Sequence, residues 1–194
     1  MLQYFIFYKP FNVLAQFSAE GEKKTLSDYF PNIDKNIYPV GRLDYDSEGL
    51  LILTNDKSLT HLMLEPSSVH PRTYLVQVEG QITEEALKQL EEGVIINIKG
   101  KKYKTKKAIA KIIPQPPKLP ERNPPIRFRK NVPDSWLSLT ITEGKNRQVR
   151  HSTAAVGFPT LRLIRYSIGK VTIGGMMPGD IKEMGINVKE LLLG

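Results

Sequence analysis

The sequence predicts a mixed, mainly antiparallel α+β fold for this chain of 194 residues. Segments with strand-like alternation or short apolar runs outnumber segments with helical spacing. Several of the strand-like segments follow one another closely along the chain, as the strands of hairpins do. An apolar content of 40% with 25% charged residues is enough for a real hydrophobic core in a globular protein.

The first half of the chain alternates between predicted strands and short helices. The apolar segment YFIF at 4–7 predicts a buried strand, which a proline soon breaks. Thr25 is a suitable N-cap for a short helix that ends at Pro31. The apolar run at 50–55 predicts a buried strand, and the spacing of the leucines in 57–65 predicts a helix.

The second half contains longer elements with clearer patterns. Residues 72–80 alternate between apolar and polar side chains and predict a half-buried strand. Residues 83–93 predict a helix with a threonine N-cap, an acidic first turn and a terminal glycine. The segments KKAIAKII and SWLSLTIT predict two more strands, and residues 146–158 predict a helix that ends at Gly157. The last residues, NVKELLLG, fit either a short helix or a frayed tail.

The chain is strongly basic, with 28 basic and 20 acidic residues, a net charge of +8 and a pI near 9.5. Such an excess indicates a polyanionic partner such as a nucleic acid. The positive charge is concentrated in KKYKTKK at 101–107 and RFRK at 127–130. Four further arginines lie near the C-terminal end: Arg147, Arg150, Arg162 and Arg165.

The absence of cysteine excludes disulfides and thiolate metal sites, and it favours a reducing, cytoplasmic compartment. The N-terminal segment lacks the basic region and cleavage site of a signal peptide. No apolar stretch approaches the ~20 residues of a membrane-spanning helix. We therefore expect no membrane partner.

A proline-rich segment at 115–133 has six prolines in nineteen residues. It cannot form a helix or a central strand. Its composition fits a linker, while its arginines and Phe128 fit an ordered loop on nucleic acid equally well.

The segment GRLDYDSEGLL at 41–51 contains three alternating acids, Asp44, Asp46 and Glu48, ahead of an apolar run. One interpretation is a calcium loop, but its twelfth position is Asn55, where a bidentate glutamate is required. A second is a paired-carboxylate hydrolase or magnesium site, although alternate acids on a strand would point to opposite faces. The third is a single nucleophilic carboxylate with nearby arginines that contact nucleic acid.

The third interpretation agrees with a resemblance that covers nearly the whole chain. GRLDYDSEGLL is similar to the segment around the catalytic aspartate in the RsuA-type branch of the pseudouridine synthases. KPF at 9–11 resembles the first motif of that family, and RTYLVQVEG resembles the segment with its active-site tyrosine. Residues 143–165 resemble its third motif, with His151 where relatives usually have arginine. The four segments occur in the family's order.

The resemblance implies the pseudouridine synthase fold, with helices flanking the sheet and a central active-site cleft. It implies one catalytic domain over 1–194, without the S4 RNA-binding domain that relatives commonly carry at the N-terminal side. The implied activity is an isomerase, an intramolecular transferase that converts one uridine of large-subunit (23S) rRNA, or of its precursor, to pseudouridine. It requires no cofactor and no metal, and members of this branch are usually monomers.

The resemblance also implies roles for individual residues. Asp44 is the essential aspartate, as nucleophile or as base toward the ribose, and Arg150 is the cation that pairs with it. Tyr74 stacks on the target uracil, and Val149 packs beneath it. Arg42 enters the space that the extruded nucleotide leaves. Other cations hold RNA: Arg147, Arg127, Arg129 and Lys130.

Without the resemblance, simpler roles remain open for several of these residues. Tyr74 and Val149 fit core packing, and Arg150 fits a solvated charge on a helix. At the level of function, a non-catalytic rRNA-binding or ribosome assembly factor would account for the basic charge. A metal-dependent phosphoesterase would account for the acids.

Overall fold

A computed structural model describes residues 1–65, 67–126 and 132–193. The described chain divides into two compact units. Unit 1 consists of Met1–His70 together with the chain from Arg165 to the C-terminal end, and unit 2 is Pro71–Ile164. Among the described residues, no helix is long and apolar enough to cross a membrane.

Both units combine strands with short helices. The strands are β1 (Tyr4–Lys9), β2 (Tyr38–Pro39), β3 (Glu48–Thr54), β4 (Arg72–Glu79), β5 (Ile95–Ile98), β6 (Lys101–Lys104), β7 (Ile109–Ile113), β8 (Asp134–Ile141), β9 (Thr160–Ile168), β10 (Val171–Thr172) and β11 (Ile181–Met184). The α-helices are α1 (Lys57–Leu64), α2 (Glu84–Glu92), α3 (Gln148–Ala155) and α4 (Val188–Leu193). The predicted α+β class is confirmed.

The sheet of unit 1 is antiparallel, with β1 between β11 and β3. All seven residues of β3 are buried, as its unbroken apolar run predicted. The short helix predicted near Thr25 is a 3₁₀ turn at Leu26–Asp28, and Thr25 caps it. Apolar side chains of unit 1 form one core cluster: Phe7, Ala15, Leu26, Phe30, Ile37, Leu51 and Leu53.

Helix α1 begins immediately after β3 because Asp56 caps it. The Asp56 carboxylate accepts hydrogen bonds from the backbone N–H groups of Ser58 (3.0 Å) and Leu59 (3.2 Å). It also accepts from the Tyr4 hydroxyl at 2.7 Å and forms an ion pair with Lys189. Burial alone would raise the pKa of Asp56, but these bonds hold it well below its usual range.

Unit 2 is built on the antiparallel order β4–β8–β7. The predicted alternation of β4 is confirmed, since Tyr74, Val76 and Val78 are buried and their neighbours are half-buried. Helix α2 begins at its predicted cap, where the Thr83 side chain accepts a hydrogen bond from the Ala86 N–H. Its buried face packs against the strands.

Two elements of unit 2 differ from the sequence-based predictions. Strands β5 and β6 form a separate antiparallel hairpin, where we predicted only a cluster of cations. The hairpin escaped prediction because its lysines are exposed and only Ile96 is deeply buried, which leaves little alternation to detect. Helix α3 is also shorter than predicted, because Arg147 has a left-handed backbone (φ 49°) that cannot continue a helix.

Candidate active site

Asp44 lies in a turn between β2 and β3 rather than on a strand. The backbone N–H of Ser47 donates to the Asp44 carbonyl oxygen at 3.0 Å, which closes the turn. The Asp44 side chain is half-buried, whereas Glu48, the first residue of β3, is almost fully buried. The strand geometry that would point Asp44 and Asp46 to opposite faces therefore does not apply.

Gly49 follows this turn at a position where only glycine fits. Its φ is +110°, a conformation that L-residues with side chains rarely adopt. A Cβ atom at this position would lie 2.3 Å from the carbonyl oxygen of Arg165. The backbone of β3 at Gly49 therefore lies in close contact with the backbone of β9 at Arg165.

Lys9 is the buried cation beneath the acidic turn. Its side chain is fully buried, and Nζ donates to the carbonyl oxygens of Pro10 and Val13, both at 2.8 Å. It also reaches the carbonyl oxygen of Tyr45 at 3.5 Å, directly after Asp44. Burial lowers the pKa of Lys9 to about 7, although Glu48, Asp46 and Asp44 oppose the shift by attracting the ammonium. Lys9 is the first residue of KPF, and its burial was not predicted from the sequence.

Titration of Lys9 is expected to make stability depend on pH. Its pKa is about 7 in the folded protein and 10.5 when the lysine is unperturbed, so the unfolded chain holds the proton longer as pH rises. The free energy of unfolding is therefore expected to rise between pH 7 and 10.5 by on the order of 4 kcal/mol from this group. Urea titrations of the wild-type protein and Lys9→Met at several pH values measure the difference. Parallel pH curves for the two proteins would contradict the account.

A second buried cation, Arg165, holds the other side of the turn. Arg165 Nε donates to the Leu50 carbonyl oxygen at 2.8 Å, and Nη1 reaches the Arg42 carbonyl oxygen at 3.5 Å. These carbonyls lie on either side of Asp44 in sequence. The side chain of Arg165 is only 5% exposed. It therefore fixes the backbone of the turn.

Arg162 is buried as well and also bonds a backbone carbonyl. Its Nη2 donates to the Pro120 carbonyl oxygen at 2.9 Å, which ties the proline-rich segment to β9 within unit 2. The sequence places Arg162 and Arg165 in one group with Arg147 and Arg150 near the C-terminal end, but it did not predict that the two arginines of β9 are buried.

In unit 2, Tyr74 and Val149 are brought together. Tyr74 of β4 is 8% exposed and Val149 of α3 is 4% exposed. Both belong to the same hydrophobic cluster, with Leu139 and Leu163 among its members. The core-packing role considered for these two residues is therefore present. A contact of Tyr74 or Val149 with a uracil stays a prediction.

The predicted cationic site residues differ in exposure. Arg150 lies on the half-buried side of α3, and Arg147 immediately precedes this helix. Arg42 in unit 1 is exposed, as a residue that inserts into RNA must be. Arg127, Arg129 and Lys130 lie outside the described residues, as does Phe128. The pairing of Arg150 with Asp44 stays a prediction.

Sequence reasoning also missed Glu143, the first residue of the third motif. Its carboxylate accepts hydrogen bonds from the Lys106 backbone N–H (2.7 Å) and from Gln148 Nε2 (2.8 Å), and another from the Tyr103 hydroxyl. Glu143 is 9% exposed. Its position opposite a lysine-rich segment was not visible from the sequence, because the two are about forty residues apart.

Within 1–65, 67–126 and 132–193, no group of three or more histidine, aspartate or glutamate side chains is arranged to hold a metal ion. The acids of residues 44–48 lie close enough to the buried ammonium of Lys9 to attract it. The backbone of the turn that carries them is held by Lys9, Arg165 and the Ser47 N–H group.

Known proteins are similar to this chain in sequence and in fold. Residues 3–155 match the family described as RNA pseudouridylate synthase. The chain is 49% identical over 179 residues to "Ribosomal large subunit pseudouridine synthase E" of Vibrio parahaemolyticus, covering 92% of this chain and 72% of that protein. It is 47% identical over 172 residues to the protein of the same name from Xanthomonas axonopodis pv. citri, covering 88% and 87%. A solved structure titled "Crystal structure of pseudouridylate synthase" has a TM-score of 0.78 and 26% identity, over 99% of this chain and 74% of that one.

Proposed function

The chain belongs to the RNA pseudouridylate synthase family, and we propose that it isomerises one uridine of large-subunit rRNA to pseudouridine. The observation that supports this most strongly is the relatives' shared name at 47–49% identity over most of the chain. In this reaction the N1–C1′ bond of the uridine breaks, the uracil turns, and C5 bonds to C1′. The products contain the same atoms as the substrate, and no electrons are exchanged with another molecule.

Asp44 is the residue to which we assign the chemistry. Its carboxylate acts as a nucleophile or as a base toward the ribose, and either role requires the ionised form. The turn that carries it is held by Lys9 at Tyr45 and by Arg165 at Arg42. Holding the backbone on both sides of a reactive group reduces the reorganisation required before reaction. This support for Asp44 lies wholly within unit 1.

The remaining assigned residues bind the target nucleotide. Extruding a base from a stacked RNA costs a few kcal/mol, so the site must supply compensating contacts. We propose that Tyr74 stacks on the uracil, that Val149 packs beneath it, and that exposed Arg42 occupies the vacated space. The aromatic and aliphatic side chains are already ordered by one core cluster, which lowers the entropy lost on binding.

Arg150 is proposed to pair with the Asp44 carboxylate and to stabilise its negative charge. Arg150→Ala is then expected to lower turnover, because the reacting carboxylate loses the cation that orients it. Arg150→Lys is the matched control, since it keeps the charge and should retain more of the turnover. Single-turnover rates of both variants test this. Equal losses in Arg150→Ala and Arg150→Lys would contradict the pairing.

The partner implied by the charge is RNA, and the exposed lysines of residues 101–107 are its proposed phosphate contacts: Lys101, Lys102, Lys104, Lys106 and Lys107. Phosphate contacts position an RNA without reading its sequence. Arg147 and the cations at 127–130 are proposed to extend this binding surface. We propose that residues 1–194 act as one catalytic domain, as a monomer, in the cytoplasm and on 23S rRNA or its precursor.

The direct test is turnover in vitro. Purified protein is incubated with a large-subunit rRNA transcript in two parallel reactions, one with EDTA and one without. Pseudouridine is then mapped chemically at each uridine. We expect one position to be converted, at the same rate with and without chelator. Tight, salt-sensitive binding without conversion would instead support an assembly factor. Cleavage of the RNA that EDTA abolishes, without pseudouridine, would support a metal-dependent phosphoesterase.

A further inference from the structure

Glu143 joins two parts of unit 2 that are distant in sequence. It follows β8 and is nine-tenths buried, so its carboxylate must find its partners inside the protein. One oxygen, Oε1, accepts from the Lys106 N–H (2.7 Å) and from Gln148 Nε2 (2.8 Å). The other accepts from the Tyr103 hydroxyl. We call Tyr103, Lys106, Glu143 and Gln148 the Glu143 cluster.

One side of the Glu143 cluster is the beginning of α3. Gln148 is the first residue of this helix, and Val149 and Arg150 follow it directly. The helix has no side-chain cap at Arg147. Its first turn is held instead by Gln148, whose Oε1 accepts from the Lys145 N–H at 3.0 Å while Nε2 binds Glu143. The position of α3 therefore depends on the Glu143 carboxylate.

The other side is the hairpin of residues 95–107, which we call the lysine hairpin. Tyr103 lies in the middle of β6, with exposed Lys102 and Lys104 on either side of it. Its ring lies beneath the Lys145 ammonium, 5.0 Å from the ring centroid. Lys106 directly follows the last buried residue of the hairpin, Thr105. The cluster therefore holds the strand that displays the lysines.

We propose that Glu143 is a positioning residue that fixes the lysine hairpin relative to α3, so that RNA phosphates on the hairpin are held in register with Val149 and Arg150. This inference rests on the proposed function and adds to it a residue without direct substrate contact. The hairpin is closed at its base, where Thr105 and Val94 bond each other, and its first strand, β5, packs against α3. The Glu143 cluster adds the hydrogen bonds that tie the lysine-bearing strand to the first turn of α3.

The chemistry of the cluster suits this role. A buried carboxylate that accepts three hydrogen bonds forms short, charge-assisted contacts that are stronger than neutral ones. The Tyr103 hydroxyl bond is such a contact, and it raises the pKa of Tyr103 to about 12. An amide at position 143 would keep Oε1 for Lys106 and Gln148 while presenting an NH₂ group to the Tyr103 oxygen. Glu143→Gln is therefore a variant that keeps the geometry.

The test removes the Tyr103 hydroxyl with Tyr103→Phe and measures kcat and RNA affinity separately. We expect kcat to fall by about tenfold, because a small misplacement of a bound substrate slows reaction strongly. RNA affinity should stay within about twofold, since every lysine is retained. Glu143→Gln should keep kcat within about threefold of the wild type, and its Tyr103 should titrate closer to the ordinary value for a phenol.

A double-mutant cycle separates positioning from general support of the fold. The second variant is Lys101→Ala/Lys102→Ala, which weakens phosphate contacts on the hairpin. If Glu143 acts through RNA held by the hairpin, the lysine variant has already lost that positioning. Adding Tyr103→Phe to it should then lower kcat by less than about twofold. A full tenfold loss in both backgrounds would overturn the inference and indicate a structural role alone.

If Tyr103→Phe does not fold, Gln148→Met breaks the cluster at its α3 side, and the same loss of coupling is expected in the same cycle. A wild-type protein without turnover on RNA would overturn the proposed function and this inference with it. If the wild type is active but the losses of kcat in the single variants add up in the combined variant, the inference is overturned and the proposed function is not.

Discussion

Asp44→Asn is expected to lower turnover of the target RNA by at least about 10³-fold, because an amide can act neither as a nucleophile nor as a base. RNA affinity should stay within a few-fold, since the proposed phosphate contacts of residues 101–107 lie elsewhere on the chain. The folded structure should also survive, because the turn at Asp44 is held by its backbone: the Asp44 carbonyl accepts from Ser47, and the next carbonyl from Asn12 at 2.9 Å. Single-turnover rates and equilibrium binding on the same RNA separate the two effects.

Asp46→Asn is the matched control for this loss. Asp46 lies in the same turn and also attracts the Lys9 ammonium, but the family motif assigns it no chemistry. We expect this variant to retain most of its turnover. Measurable turnover in Asp44→Asn, or an equal loss in Asp46→Asn, would remove Asp44 from its assigned role.

Gly49→Ala is expected to cause a large loss of stability. The new Cβ would lie 2.3 Å from the Arg165 carbonyl oxygen and 2.7 Å from its nitrogen, so backbone must move in β3 or β9. The positive φ of +110° adds strain for any L side chain. We expect the free energy of unfolding to fall by more than about 4 kcal/mol, a size reserved for such severe cases.

Gly21→Ala provides the control in the same unit. Its φ is also positive, at +59°, but a Cβ there would meet nothing within 4 Å. Only the strain of the positive φ should then lower the free energy of unfolding, by about 1–2 kcal/mol. Urea unfolding of both variants measures the contrast. Equal losses would show that the contact between Gly49 and Arg165 contributes little.

Local patterns in the sequence were sufficient to predict the elements that carry the core. The apolar run of β3 and the alternation of β4 reflect burial on two faces and on one face, respectively, and burial leaves a periodic signal. The caps of α1 and α2 depend on residues adjacent in sequence, although only Thr83 was identified beforehand. Asp44 was identified by a motif, which is likewise local.

The features that escaped prediction depend on residues that are distant in sequence. Lys9 belongs to a residue type that is almost always exposed, and its burial follows from the carbonyls and carboxylates that surround it in three dimensions. Arg165 bonds Leu50 across 115 residues. The lysine hairpin has strand geometry without strand-like composition, and Glu143 acquires its role only where the hairpin reaches α3.

The measurement that tests the central claim most directly is chemical mapping of pseudouridine in 23S rRNA from cells with and without this gene. We predict that one position loses its pseudouridine in the deletion strain, and that wild-type protein restores it while Asp44→Asn does not. If every pseudouridine of the rRNA survives the deletion, or if Asp44→Asn restores the missing one, the account is contradicted.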